Sequence, residues 1–397
     1  MLACIPSATL LGAKGLAVRV EAHVTTGLPG MTLVGQPDTT CREGLHRVKA
    51  AFTTVRLGWP SKRITLNLAP AGVRKLGSAL DLAIAVGVLV ASDVLRPESV
   101  AGLAFLGELG LDGSVRTVPG VVPMVAAVEP DAAGVVVPAA AFHEAMLVAG
   151  DRARPVERLD QLVDVLRGEL PWPDPPPRPR GDAEASEPDL ADVRGHAVAR
   201  KALEVAAAGG HHLLLVGPPG AGKTMLARRL PGLLPSLTAD AALEATCVHS
   251  AAGLPLPADG LLRRPPFRAP HHTASGASLI GGGTVALRPG EISLATHGVL
   301  FMDELGEFPA NVLDAMRTPL EEGVVRVARA RAAVELPARF QLVGATNPCP
   351  CGEGGPPGVG ACRCSPSAAA RYLRRLSGPL LDRFDLRLEI QRPASSE

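Results

Sequence analysis

The sequence predicts an α/β protein, with a parallel sheet covered by helices on both faces in the C-terminal half and a separate α+β block before it. Three observations lead to this. Residues 171–188 read PWPDPPPRPRGDAEASEP, with seven prolines among charged and small residues. Such a stretch buries too little surface to fold and acts as a semi-rigid spacer, so the blocks are 1–170, a Pro-rich linker 171–188, and 189–397. Beyond the linker, the apolar runs HLLLVG (212–217), GVLFMDE (298–304) and RFQLVGATN (339–347) alternate with helical stretches. Runs apolar on both faces suit strands of a covered parallel sheet. Ahead of the linker, LAVRVEAHV (16–24) and RITLNLAP (63–70) alternate as half-buried strands do, beside helical patterns over 42–55 and 79–92.

Composition narrows the function classes. The 397 residues carry 40 Lys and Arg against 39 Asp and Glu, a net charge of +1, which excludes a generally basic nucleic-acid binder. Aromatic residues are only 3%, which argues against base stacking as the main recognition mode. No run reaches the roughly 18–20 apolar residues of a membrane span. The opening MLACIPSATLLGAKG lacks the charged start of a signal peptide. Seven cysteines, four of them between 349 and 364, point to a reduced, cytoplasmic protein with one candidate metal site rather than a disulfide scaffold.

The chemistry concentrates at three strand ends. Gly217-Pro218-Pro219-Gly220-Ala221-Gly222-Lys223-Thr224 fits the phosphate-loop pattern, with a strand before it and a helix after it. Glycines let backbone N–H groups turn toward phosphates, and the helix start adds partial positive charge. Lys223 would reach the β- and γ-phosphates of ATP, and the Thr224 hydroxyl would ligate Mg²⁺. VLFMDE ends in two carboxylates: Asp303 would join the Mg²⁺ shell, and Glu304 would polarise the attacking water or, alternatively, cap the following helix. Asn347, at the tip of QLVGATN, could position that water, although an Asn before Pro is also an ordinary turn residue.

Four further groups stand out. Cys349, Cys351, Cys362 and Cys364 supply the four thiolates that Zn²⁺ takes tetrahedrally, provided that Pro348, Pro350 and Gly352 turn the backbone; reduced, unliganded thiols are the alternative. A zinc there would brace Asn347. The adjacent His271 and His272 do not share a helix face, which argues against a metal site, and His211-His212 is expected to hydrogen-bond at a sheet edge. Arg326, Arg329 and Arg331 on a hairpin, and Arg371, Arg374 and Arg375, are the candidate DNA patches; solvated surface arginines explain them equally well on charge alone.

Long motifs also resemble the YifB/ComM group of magnesium-chelatase-like AAA+ ATPases. They are PPFRAPHHTAS (265–275), RPGEISLATHGVLFMDELGEF (288–308), FQLVGATNPCPCG (340–352) and LSGPLLDRFDL (376–386), with GLPGMTLVGQPDTTCREGLHRVKAAF (27–52) and RITLNLAPAGVRKLGSALDLAIAVG (63–87) ahead of the linker. The resemblance implies an AAA+ P-loop domain, assembly into rings of six, and DNA branch migration of the kind used in natural transformation. It makes Arg383, in LLDRFDL, the arginine finger offered to a neighbouring protomer, and places Val193 and Gly195 against adenine. It also implies an insertion near the ring pore around His271-His272, and a helical lid beyond residue 397. LGELGLDGSVRTVPGV (106–121), with Gly77-Ser78, resembles the proteolytic domain of Lon, but no Lys follows Pro119-Gly120 to activate Ser78. An inactive Lon-like block, with Ser78 in a turn or cap, is therefore expected. The rival readings are the ATPase subunit of a magnesium chelatase and a nucleotide-binding scaffold without turnover.

Overall fold

In the computed structural model the first alternating run becomes the strand Lys14–Thr25. Val18, Val20, Ala22 and Val24 turn inward while the charged residues between them face out. The strand pairs antiparallel with Leu2–Leu11 and with Arg63–Ala69, and Gly30–Val34 adds in parallel to the far side of Arg63–Ala69. Leu2–Leu11 contains Pro6 and lies at the sheet edge, where a missing N–H is tolerated. The helix Asp81–Ala91 is buried on every side, so it carries no polar stripe. A second, three-stranded parallel sheet is formed by Leu103–Phe105, Gly134–Pro138 and Ala153–Val156. Ser78 lies in the turn before Asp81–Ala91, its carbonyl accepting from the Asp81 N–H at 3.1 Å.

The described residues are 2–128, 132–178, 188–283, 287–329, 332–354 and 362–392. They fall into two compact units. The first holds residues 1–181 and also takes in 246–261 and 283–288, two excursions that the linker alone did not announce. Within it the Gly120 N–H donates to the Ser250 carbonyl at 2.8 Å, and the Ser250 hydroxyl donates to Glu144 at 3.1 Å. Linker residues 179–187 lie outside the described residues.

The second unit is built on a five-stranded parallel sheet in the order Phe267–Arg268, Val299–Met302, Gln341–Thr346, Leu213–Val216, Leu386–Glu389. Every residue of Val299–Met302 and Gln341–Thr346 is buried, as the two-sided apolar runs predict. Leu213, Leu215, Phe301, Val343 and Ala345 pack in one core with Ala199, Leu203 and Ala206 of the helix Ala197–Gly209. Each such apolar side chain contributes about 1.5–3 kcal/mol on full burial, less for alanine. Parallel strands in register bring their carboxyl ends to one edge, where open sheets of this kind bind ligands. His212, just before Leu213–Val216, is not at a sheet edge, because that strand is paired on both sides. Its ring Nδ1 accepts from the Leu342 N–H at 3.0 Å, its backbone N–H donates to Asp385 at 2.8 Å, and burial lowers its pKa. Among the described residues, no helix is long and apolar enough to cross a membrane.

Candidate active site

Three strand tips converge. Val216 leads into the phosphate loop, Met302 into Asp303-Glu304, and Thr346 into Asn347. The loop turns through Gly220 and Gly222 at φ +77° and +83°, a backbone conformation that favours glycine, and the helix Lys223–Ala227 starts at once. The Lys223 ammonium is fully engaged: it donates to the Gly217 carbonyl at 2.6 Å, to the Pro218 carbonyl at 3.0 Å and to Asn347 Oδ1 at 3.1 Å. Burial pulls its pKa below the ordinary lysine value, while the carboxylates of Asp303 and Glu304 act the other way.

Beside it the Thr224 hydroxyl donates to Asp303 Oδ2 at 2.7 Å. Two hard oxygens side by side are the donor set that Mg²⁺ takes from protein when phosphate and water supply the rest, so these residues fit that ion. Glu304 follows in the left-handed region at φ +50°, a strained placement for a non-glycine residue, and its N–H donates to Asp303 Oδ1 at 2.9 Å. Its side chain caps no helix; instead Glu304 Oε2 lies 2.9 Å from His272 Nδ1. The histidine pair thus reaches the acidic strand, a contact that the sequence does not disclose.

These groups line a cavity of about 390 Å³, bounded by Pro219 to Met225, Asp303, Glu304 and Ala345 to Asn347. That lies within the roughly 300–1,000 Å³ usual for ligand sites. Gly217 and Pro218 contribute through the carbonyls that hold Lys223. Next to the cavity the thiol sulfurs of Cys349, Cys351, Cys362 and Cys364 all lie within 4.8 Å of one another.

Comparison with known proteins accords with this geometry. A family described as "Magnesium chelatase, subunit ChlI" matches residues 189–397, and a second described as "Subunit ChlI of Mg-chelatase" matches residues 20–141. The protein Rv2897c of Mycobacterium tuberculosis is 49% identical over 97% of this chain and 76% of its own length. Competence protein ComM of Haemophilus influenzae is 44% identical over 98% of this chain, and YifB of Escherichia coli 42% over 99%, each across 76% of its own length. The chain belongs to the YifB/ComM group of the magnesium-chelatase-like family. By contrast, the magnesium-chelatase 38 kDa subunit of Cereibacter sphaeroides is 27% identical over 47% of this chain and 52% of its own length.

In this magnesium-chelatase-like chain the other expected site residues lie around the cavity rather than in it. Val193 is buried in the core of the second unit and Gly195 turns at φ +65°; neither lines the cavity. Arg383 is also outside it and pairs with Glu321 of its own chain. Arg326 sits on the expected hairpin, Val324–Arg329 with Ala332–Pro337, but is held by Glu335 at 2.9 Å and by Glu322, so its charge is locally offset. Arg331 falls outside the described residues. Arg371, Arg374 and Arg375 are all exposed, and Arg375 also pairs with Glu307 at 2.8 Å. Two arginines escaped the sequence reading. Arg268 makes a two-point pair with Glu291 at 2.6 and 2.8 Å, and Arg392 donates to the Pro219 carbonyl at 3.1 Å.

Proposed function

We propose that this chain is a ring-forming AAA+ ATPase that hydrolyses ATP to remodel DNA, acting by branch migration in recombination or natural transformation. The carrying observation is the pair of contacts at the strand tips, Lys223 with Asn347 and Thr224 with Asp303. With nucleotide bound, Lys223 exchanges its backbone carbonyl partners for phosphate oxygens. Glu304 accepts a proton from the attacking water, which Asn347 helps to orient. Thr224 and Asp303 would hold Mg²⁺, which when bound would neutralise phosphate charge. Arg383 is directed to a neighbour's nucleotide, for it lies outside the pocket of its own chain. On this reading residues 1–170 are an inactive Lon-like domain that serves ring assembly or partner binding, the linker spans 171–188, the ring holds six copies, the protein is cytoplasmic, and the four cysteines hold a structural Zn²⁺.

DNA as substrate draws on the resemblance to ComM. The test is ATP turnover with and without four-way DNA, and salt-dependent binding of that DNA by wild type and by an Arg371→Ala/Arg374→Ala variant. Stimulated turnover, and a smaller salt slope in the variant, are expected; absence of binding by wild type at low salt removes the DNA assignment. A second reading, an ATPase subunit of a magnesium chelatase, is favoured by the family description that matches residues 189–397. It predicts turnover that ignores DNA and responds to a porphyrin-loading partner.

A further inference from the structure

We infer that the four-cysteine cluster is a zinc site whose metal braces the phosphate loop, so that zinc loading sets nucleotide affinity at the cavity. The inference rests on the ATPase reading for its nucleotide and on independent geometry for its metal. Cys349 Sγ lies 3.3 Å from Cys351 Sγ and 3.8 Å from Cys362 Sγ, and Cys351 Sγ lies 3.8 Å from Cys362 Sγ. A tetrahedral ion with bonds of about 2.3 Å holds its sulfurs about 3.8 Å apart. Disulfide sulfurs would approach to about 2 Å and in pairs, not as a foursome. The backbone is already shaped for the purpose. Gly352 turns at φ +84° and its N–H donates to the Cys349 carbonyl at 2.9 Å, so Cys349 and Cys351 face the same centre, and the Gly354 N–H donates to Cys349 Sγ at 3.4 Å. All-sulfur ligation selects a soft or borderline ion over Mg²⁺.

The cluster leans on the phosphate loop at two points. Gly352 packs so closely on Pro219 that a Cβ there would fall 2.6 Å from the proline ring. Arg392 joins the same two segments, donating to the Pro219 carbonyl at 3.1 Å and to Glu353 at 2.9 Å. Pro219 lines the cavity, and Asn347, two residues before the first cysteine, holds Lys223. The sequence between Cys351 and Cys362 is rich in Gly and Pro, and ligation of the four thiolates would supply folding free energy to the cysteine cluster.

The experiment uses the full chain, purified under reducing conditions without chelator. Zinc is counted by elemental analysis, and nucleotide affinity is measured with a fluorescent ATP analogue. Wild type is expected to carry about one zinc per chain. Cys351→Ser/Cys364→Ser should lose the zinc and bind nucleotide about tenfold more weakly, as when only about a tenth of the population is competent. Arg392→Ala should keep the zinc and still lose part of the affinity, which keeps the brace open to refutation if the double variant fails to fold. Wild type without zinc overturns the metal site. Nucleotide bound equally by wild type, the double variant and Arg392→Ala overturns the brace alone. Zinc present with no nucleotide binding by wild type overturns the ATPase reading and the brace with it.

Discussion

Two buried lysines show what separates a scaffold from a site. Lys75, in the first unit, is fully buried; it donates to the Pro70 carbonyl, and its own carbonyl accepts from the Asp38 N–H at 3.0 Å. Nearby, buried Asp81 takes Arg47 at 2.7 Å and the Leu109 N–H at 3.3 Å. Burial also drives the Cys41 thiol pKa far up, with the Asp38 charge adding to the rise. These groups close on one another. Lys223 is held by similar carbonyl bonds, but its neighbours Thr224, Asp303 and Asn347 all border an open cavity. Internal satisfaction is common to both regions; what differs is whether a ligand could take over the contacts. Polar residues that face a cavity are the ones to which chemistry can be assigned.

The largest effect is expected at a residue that touches neither region: Arg383→Ala should lower ATP turnover by about 10⁴-fold in the assembled ring, as removal of an arginine finger does. Nucleotide binding measured on the same variant should hold, and loss of binding instead of turnover would show that Arg383 is no finger. Glu304→Gln comes next, with turnover lower by about 10³-fold and affinity for nucleotide retained, the pattern of a lost general base. Near-normal single-turnover rates for it would leave Glu304 a mere strand-end acid.

In the closed region the sensitive readout is stability against pH. Burial raises the Asp81 carboxyl to about 6 from an ordinary 3.8, and the Arg47 pair only partly opposes this. The folded-state pKa is above the unfolded one, so this contribution is fully present below pH 4 and is lost as pH rises through 6. Measured against Asp81→Asn by urea unfolding, wild type should lose up to about 3 kcal/mol of its relative stability between pH 4 and 7. A pH-independent difference would mean that Asp81 titrates normally. The smallest effect is expected for His272→Ala, which frees the Glu304 carboxylate: turnover about fivefold lower, affinity unchanged, for one hydrogen bond of about 1 kcal/mol. Equal turnover would assign that contact to packing alone.

Much of the site was legible because its signals are local. The phosphate loop, the run ending in Asp303-Glu304 and the tip at Asn347 each combine a two-sided apolar strand with polar residues at its carboxyl end, and parallel register does the rest. What stayed hidden depends on distant segments. Phe267–Arg268 is too short a strand to show periodicity. His272 meets Glu304, and Arg392 meets Pro219, only after strands far apart in sequence pair side by side. Likewise, nothing in 246–261 signals that Ser250 binds Gly120 and Glu144 in the first unit. Charge counting alone could not show how Arg326 is paired, since Glu335 lies across the hairpin and Glu322 four residues before it, spacings that only the folded register makes meaningful.

The central claim is that the cavity beside Lys223 receives the triphosphate of ATP. A structure with a slowly hydrolysed ATP analogue and Mg²⁺ tests it most directly. The Lys223 ammonium is expected to move from the Gly217 and Pro218 carbonyls onto phosphate oxygens, with Thr224 and Asp303 sharing one ion. Nucleotide bound elsewhere, with the lysine still on those carbonyls and Thr224 still donating to Asp303, would contradict it.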